Sequence, residues 1–209
     1  MNLRNKALDP LVLTGDAMNE AEFVRHSTAN KHMVAVHNMN FVRMVLLYIL
    51  GELEGADHGR RVWEQGSGEG SHFLMYFVVL FSGLTSLGLA RKYPRKRRKY
   101  LARANRHIKK MEALLRDGCV NAMLVLRFLL AERLSLKGDL GVVRKAYDET
   151  INIAGRTGSR LVKALALERA GDFMLDRGDL YLASDYFEQA VDEVRIRQSR
   201  GNRVDSVFL

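Results

Sequence analysis

The residues best equipped for chemistry in this 209-residue chain are cations. From Arg91 to Lys110 the sequence reads RKYPRKRRKYLARANRHIKK, with eleven Lys or Arg and no acid. The formal net charge of the whole chain is +9, so everything outside this run sums to about −2 and the basic character belongs to one stretch. Its densest part is Arg95, Lys96, Arg97, Arg98 and Lys99. Cations packed this closely can hold phosphates, dock an acidic partner, or act as a nuclear-import signal over Pro94 to Lys99. The plainer reading is a solvated helix face whose apolar stripe, Leu101, Ala104, Ile108 and Met111, turns inward. Only Tyr93 and Tyr100 lie nearby as stacking platforms, so nucleic-acid binding here would be sequence-tolerant.

Catalytic patterns are missing from the sequence. It has no GxxxxGK[ST] loop, no HExxH, no CxxC and no Gly-x-Ser-x-Gly elbow. Gly66 to Gly70 lacks the lysine of a phosphate loop and reads as a linker. His32 and His37 stand five apart, which turns them to different faces of a helix and away from joint metal ligation. Glu188, Asp192 and Glu193 read as solvated surface. The lone cysteine, Cys119, excludes an intramolecular disulfide, suits a reducing compartment and reads as a small half-buried apolar residue. The expectation is a non-enzyme with no catalytic residue, metal or cofactor.

A recurrent phrase organises the chain. Gly51-Glu52-Leu53, Gly138-Asp139-Leu140 and Gly178-Asp179-Leu180 each follow an apolar helical run. After the last two, GDLGVVRKAYDETI and GDLYLASDYFEQAV run in step 40 residues apart. A glycine that closes one helix and an acid that caps the next, at a fixed period, predict an array of helical hairpins. Asn19 is placed to cap a short helix carrying Ala21, Phe23 and Val24.

The best unit spans 164 to 197. Gly171, Ala183, Phe187 and Ala190 take the small, small, aromatic and small positions of the tetratricopeptide repeat, which this unit resembles. Leu167 stands where that pattern has Trp, and Arg195 where Pro is common. One period upstream, Ala131, Val143, Tyr147 and Thr150 match in register, and Ala56 matches Ala183 after the first turn. The expected fold is all-α: a tetratricopeptide-like superhelical solenoid of about four hairpins, near 30–64, 73–116, 121–155 and 161–197. Together these form an array over 18–197, with an irregular lead-in at 1–17 and a short tail at 198–209.

Composition agrees with a packed helical body: 47% apolar residues and only two prolines. The first 30 residues lack the basic-then-apolar order of a secretory signal. Phe73 to Ala90 is 18 residues without a charge, the length of a membrane span, but Ser82, Gly83, Thr85, Ser86 and Gly88 favour a buried solenoid helix.

A narrower resemblance covers Tyr76 to Ala190. An apolar helix ending in Ala-Arg-Lys leads to a basic helix (Leu87 to Met111). Asn121 to Glu132 then gives Asn-Ala followed by Leu-Leu-Ala-Glu. Lys137 to Ile151 gives Lys-Gly-Asp and Ala-Tyr-Asp-x-x-Ile, and Ala164 to Leu175 gives Ala-Leu-x-x-Glu-Arg-Ala-Gly. These phrases resemble the helical repeats that follow a STAND-type ATPase module in large multidomain sensor histidine kinases and related signalling proteins. The likeness implies a regulatory module, a fragment or remnant of such a protein. The family's ATP-binding and phosphorylation residues have no counterpart in this sequence.

The function expected is therefore non-catalytic: protein–protein interaction or intramolecular regulation in intracellular signalling, in the cytoplasm or in the nucleus through Pro94 to Lys99. The partner would be a protein or an adjoining domain. The alternative is a nucleic-acid-binding helical array that uses 91–110, with salt-sensitive affinity.

Overall fold

The computed structural model describes residues 19–65 and 72–205, with side chains over 19–64 and 74–195. The expected lead-in at 1–17 and nearly all of the Gln65 to Ser71 linker lie outside the described residues. The elements are α1 (Glu20–Ala29), α2 (Met33–Ile49), α3 (Leu53–Gln65), α4 (His72–Lys92), a 3-10 turn (Pro94–Lys96), α5 (Arg97–Arg116), α6 (Ala122–Ser135), α7 (Leu140–Arg156), α8 (Arg160–Asp176) and α9 (Leu180–Asp205). Among the described residues there is no strand. The fold is all-α.

Turn chemistry sets the ends of the helices. Gly51, Gly118, Gly158 and Gly178 all take positive φ. At each, the next amide reaches back to the carbonyl five residues before the glycine's successor, as in Asp179 N to Met174 O at 3.0 Å and Cys119 N to Leu114 O at 2.9 Å. This is the Schellman closure, which glycine enters without steric penalty. Lys31 makes the same closure at φ 59° with a side chain present. At two of the three expected helix starts the acid caps the helix: Asp139 accepts from Gly141 N at 2.9 Å and Asp179 from Leu182 N at 3.0 Å. Asn19 accepts from Glu22 N at 3.2 Å.

Gly138 departs from the pattern its phrase suggested. Its φ is not positive. The constraint is space: a Cβ there would lie 2.5 Å from Val143 Cγ2 and 2.7 Å from Leu134 O. The tail also differs from expectation, because α9 continues to Asp205 rather than ending at 197. One interior glycine at 201 weakens a helix by about 1 kcal/mol but does not stop it as a proline would.

The chain divides into two compact units, Met1–Lys110 and Met111–Leu209, with α5 running across the boundary. In the first unit α1 packs on α2, α2 on α3 and α3 on α4, and α2 also touches α4. Its core holds Met44, Ala56, Phe81, Leu84 and Leu87, all buried, with Tyr48 edge-on to Phe81 at 5.6 Å. By length and composition α4 could cross a membrane, yet 67% of that window is buried inside the fold, the environment of a core helix.

In the second unit α6 packs on α7, α7 on α8 and α8 on α9, and α6 touches α8. Phe128, Ala131, Val143, Tyr147, Leu167, Ala170 and Ala183 fill its core. Gly171 lets α8 and α9 approach: a Cβ there would lie 2.6 Å from Phe187 Cε1. Phe187 and Ala190 are half-buried beside that crossing.

Candidate functional site

Two surfaces and one buried network are the features that could carry function. The first surface is the basic run. Its apolar stripe turns inward, with Ala104, Ile108 and Met111 fully buried. Two of its cations are absorbed by the fold. Lys92 pairs with Glu54 at 2.8 Å, and the Tyr93 hydroxyl donates to the same carboxylate. The hydrogen bonds from Lys92 and then from Tyr93 hold the Glu54 carboxyl down at about 2. Arg103 pairs with Asp57, which also accepts from Arg60 Nε at 3.0 Å. Arg60 is only 4% exposed and is paired a second time, to Glu64. Arg91 and Arg97 also have interactions of their own.

Seven cations remain. Arg95, Lys96, Arg98, Lys99, Arg106, Lys109 and Lys110 are exposed and form no ion pair among the described residues. At about 100° per residue, Arg98, Arg106 and Lys109 fall within about 80° on α5, and Lys99 and Lys110 widen the arc to about 120°. The five residues expected as contacts are therefore split: Arg95, Lys96, Arg98 and Lys99 are presented to solvent, whereas Arg97 is half-buried and engaged. Arg106, Lys109 and Lys110 extend the strip by three turns. They were legible in the charge run and could have been separated from it by helical phase.

His107 lies on the flank of α5, half-buried, its Nε2 enclosed without a hydrogen-bond partner. Burial pushes its pKa down to about 4; nearby Glu64 opposes this, and Arg60, Arg106 and Lys110 reinforce it. His37 stacks on Trp63 at 4.9 Å. Among the described residues no group of three His, Cys, Asp or Glu could hold a metal ion. Cys119 is half-buried.

The buried network lies in the second unit and centres on Glu132, whose side chain is 2% exposed. Its Oε1 accepts from the Tyr147 hydroxyl at 2.8 Å and from Arg169 Nε at 2.9 Å, so one carboxylate joins α6, α7 and α8. Arg169 also donates to Asp172 at 2.7 Å. Burial first, and then the Glu132 charge, raise the Tyr147 hydroxyl well above its ordinary value. Tyr147 is thus a buried core aromatic and a donor too, a role that spacing alone does not reveal.

Several long-range ties fall at similar separations, with Arg103 to Asp57 an exception at 46. In the first unit Ser82 donates to Met44 Sδ, 38 residues away, and Lys92 and Tyr93 reach Glu54 at 38 and 39. In the second unit Arg169 reaches Glu132 at 37, Tyr186 reaches Asp148 at 38, and Arg177 reaches Gly138 O at 39. The last tie links two of the glycine turns directly.

The second surface is a stripe on α8. Leu161, Glu168 and Leu175 are exposed at seven-residue spacing, hence on one face. Surrounding protein and then Asp172 raise the Glu168 carboxyl above its usual range, against the pull of Arg169. No protein-family model, curated protein or solved structure matches the chain.

Proposed function

We propose that this chain is a non-catalytic helical-repeat module of tetratricopeptide type, which binds a protein partner or an adjoining domain in intracellular signalling. The observation that carries the reading is the set of six ties at separations of 37 to 39, found in both units, with Arg103 to Asp57 at 46 outside the set. Equal spacing of lateral contacts is what stacked hairpins need, since each buries its apolar face only against its neighbours. The packing order supports it: first helices touch across the second helix in each unit, α2 with α4 and α6 with α8. The phrases shared with the STAND-type signalling proteins fall on residues with physical work in the fold, among them Glu132, Tyr147, Arg169 and Gly171.

In this reading the binding face belongs to the first helices, where α8 presents Leu161, Glu168 and Leu175. Two exposed leucines flanking a carboxylate suit an amphipathic partner segment. The test is capture of partners from cells by wild-type chain and by Leu161→Asp/Leu175→Asp, both verified as folded by circular dichroism. Protein partners retained by wild type and lost by the variant are the expected result. Equal retention by both, or capture that nuclease treatment abolishes, overturns the reading.

A further inference from the structure

We propose that the outer face of α5, from Arg98 to Lys110, docks an acidic protein segment presenting several carboxylates within about 18 Å, the length of twelve helical steps. This rests on the interaction-module reading and adds a second surface of stated chemistry. The fold gains nothing from the cations there. None forms an ion pair among the described residues, Arg106 stands three and four residues before Lys109 and Lys110, and the first turn of α5 carries no acid. Like charges one turn apart repel, and cations at a helix start oppose its dipole. A strip held against its own helix is explained by an anion that neutralises it.

The choice of anion follows from length and surroundings. The strip ends within about 18 Å; Arg95 and Lys96 precede it, and outside 91–110 the chain sums to about −2. A polynucleotide, with a charge about every 1.7 Å along a duplex, would run beyond the seven presented cations. Base stacking is also obstructed. The Tyr93 hydroxyl is engaged by Glu54, its ring lies 6.4 Å from that of Tyr100, and the Arg103 guanidinium sits 5.6 Å over the Tyr100 ring. A short acidic helix has neither problem. Carboxylates spaced by one helical turn would meet Arg98, Arg106 and Lys109 along one line.

The test uses the full chain and three fluorescent probes at about 0.15 M salt, where exposed charges are screened beyond about 8 Å. The probes are a twelve-residue oligoglutamate, a duplex DNA of about 20 base pairs and a single-stranded RNA of equal length. Oligoglutamate binding should weaken at least tenfold in Arg98→Glu/Arg106→Glu/Lys109→Glu and stay within twofold in Lys137→Glu/Lys145→Glu, whose cations lie off the strip. If the first variant unfolds, the same three residues changed to Gln should still weaken binding severalfold. The proposal is overturned by three results: no oligoglutamate binding up to about 100 μM chain, equal losses in both variants, or tighter binding of either nucleic acid. Partner capture through Leu161 and Leu175 is read separately, so failure of the strip is distinguishable from failure of the module reading.

Discussion

Replacing Arg169 by methionine should remove a charged donor from Glu132 while keeping most of the side-chain volume. The carboxylate is 2% exposed and would retain the Tyr147 hydroxyl at 2.8 Å. Breaking one side of a buried ion pair costs about 3–5 kcal/mol. Arg169 is itself 23% exposed, so the lower end applies, about 3 kcal/mol. For a chain of this size that is a fall in Tm of roughly 6–12 °C. Tyr147→Phe should cost less, about 1.5 kcal/mol, because the charged partner remains. The diagnostic variant is Glu132→Gln in the Arg169→Met background. It removes the buried charge that Arg169 had faced, so it should restore about 1–2 kcal/mol, although Glu132→Gln alone is destabilising. Urea unfolding at neutral pH, followed by far-ultraviolet circular dichroism, reads all four stabilities. A loss below about 1 kcal/mol for Arg169→Met, or a Glu132→Gln effect of the same sign in both backgrounds, would refute the picture of a buried charge held by Arg169.

Other outcomes follow from single residues. The folded state keeps His107 neutral down to about pH 4, whereas the unfolded chain takes up the proton near 6.5. Stability should be full above pH 6.5 and fall by about 3 kcal/mol towards pH 4, a slope that His107→Leu removes in urea titrations across that range. Ala183→Leu should overpack the α8–α9 crossing and cost roughly 1–3 kcal/mol, and an unchanged unfolding midpoint would place the crossing elsewhere. Lys31→Gly relieves the one positive φ taken, among the described residues, by a residue other than glycine and should raise stability by about 0.5–1 kcal/mol in the same assay. Calorimetric titration should detect no ATP binding at micromolar concentrations, and stoichiometric heat would expose a site that the motif search missed.

The turns and helix faces were legible because their signals are local. Gly178 with Asp179, Asn19 as a cap, and the inward stripe Ala104, Ile108 and Met111 each occupy a few adjacent residues, and the structure uses them as their spacing implies. Gly138 shows the limit: the same phrase can be required by space instead of φ, and only the position of Val143 decides which. The Glu132–Arg169 pair was not legible at all. Its members stand 37 residues apart, each in an ordinary helix, and meet only after α6 and α8 are brought together. The strip on α5 lay between these cases. Its charge was plain, but separating Lys92 and Arg103, consumed by Glu54 and Asp57, from the seven presented cations required the positions of α3.

Within the second unit, the proposed module should meet its partner through the first-helix face of α8 and not through α7. Site-specific photo-crosslinking in cells tests it most directly, with a photoreactive residue at Leu161 or Leu175 of α8, or at Val142 or Lys145, which are equally open on α7. Discrete crosslinks to protein are expected from the two α8 positions and few or none from the two α7 positions. Equal crosslinking from both helices, or adducts from α7 alone, would contradict it.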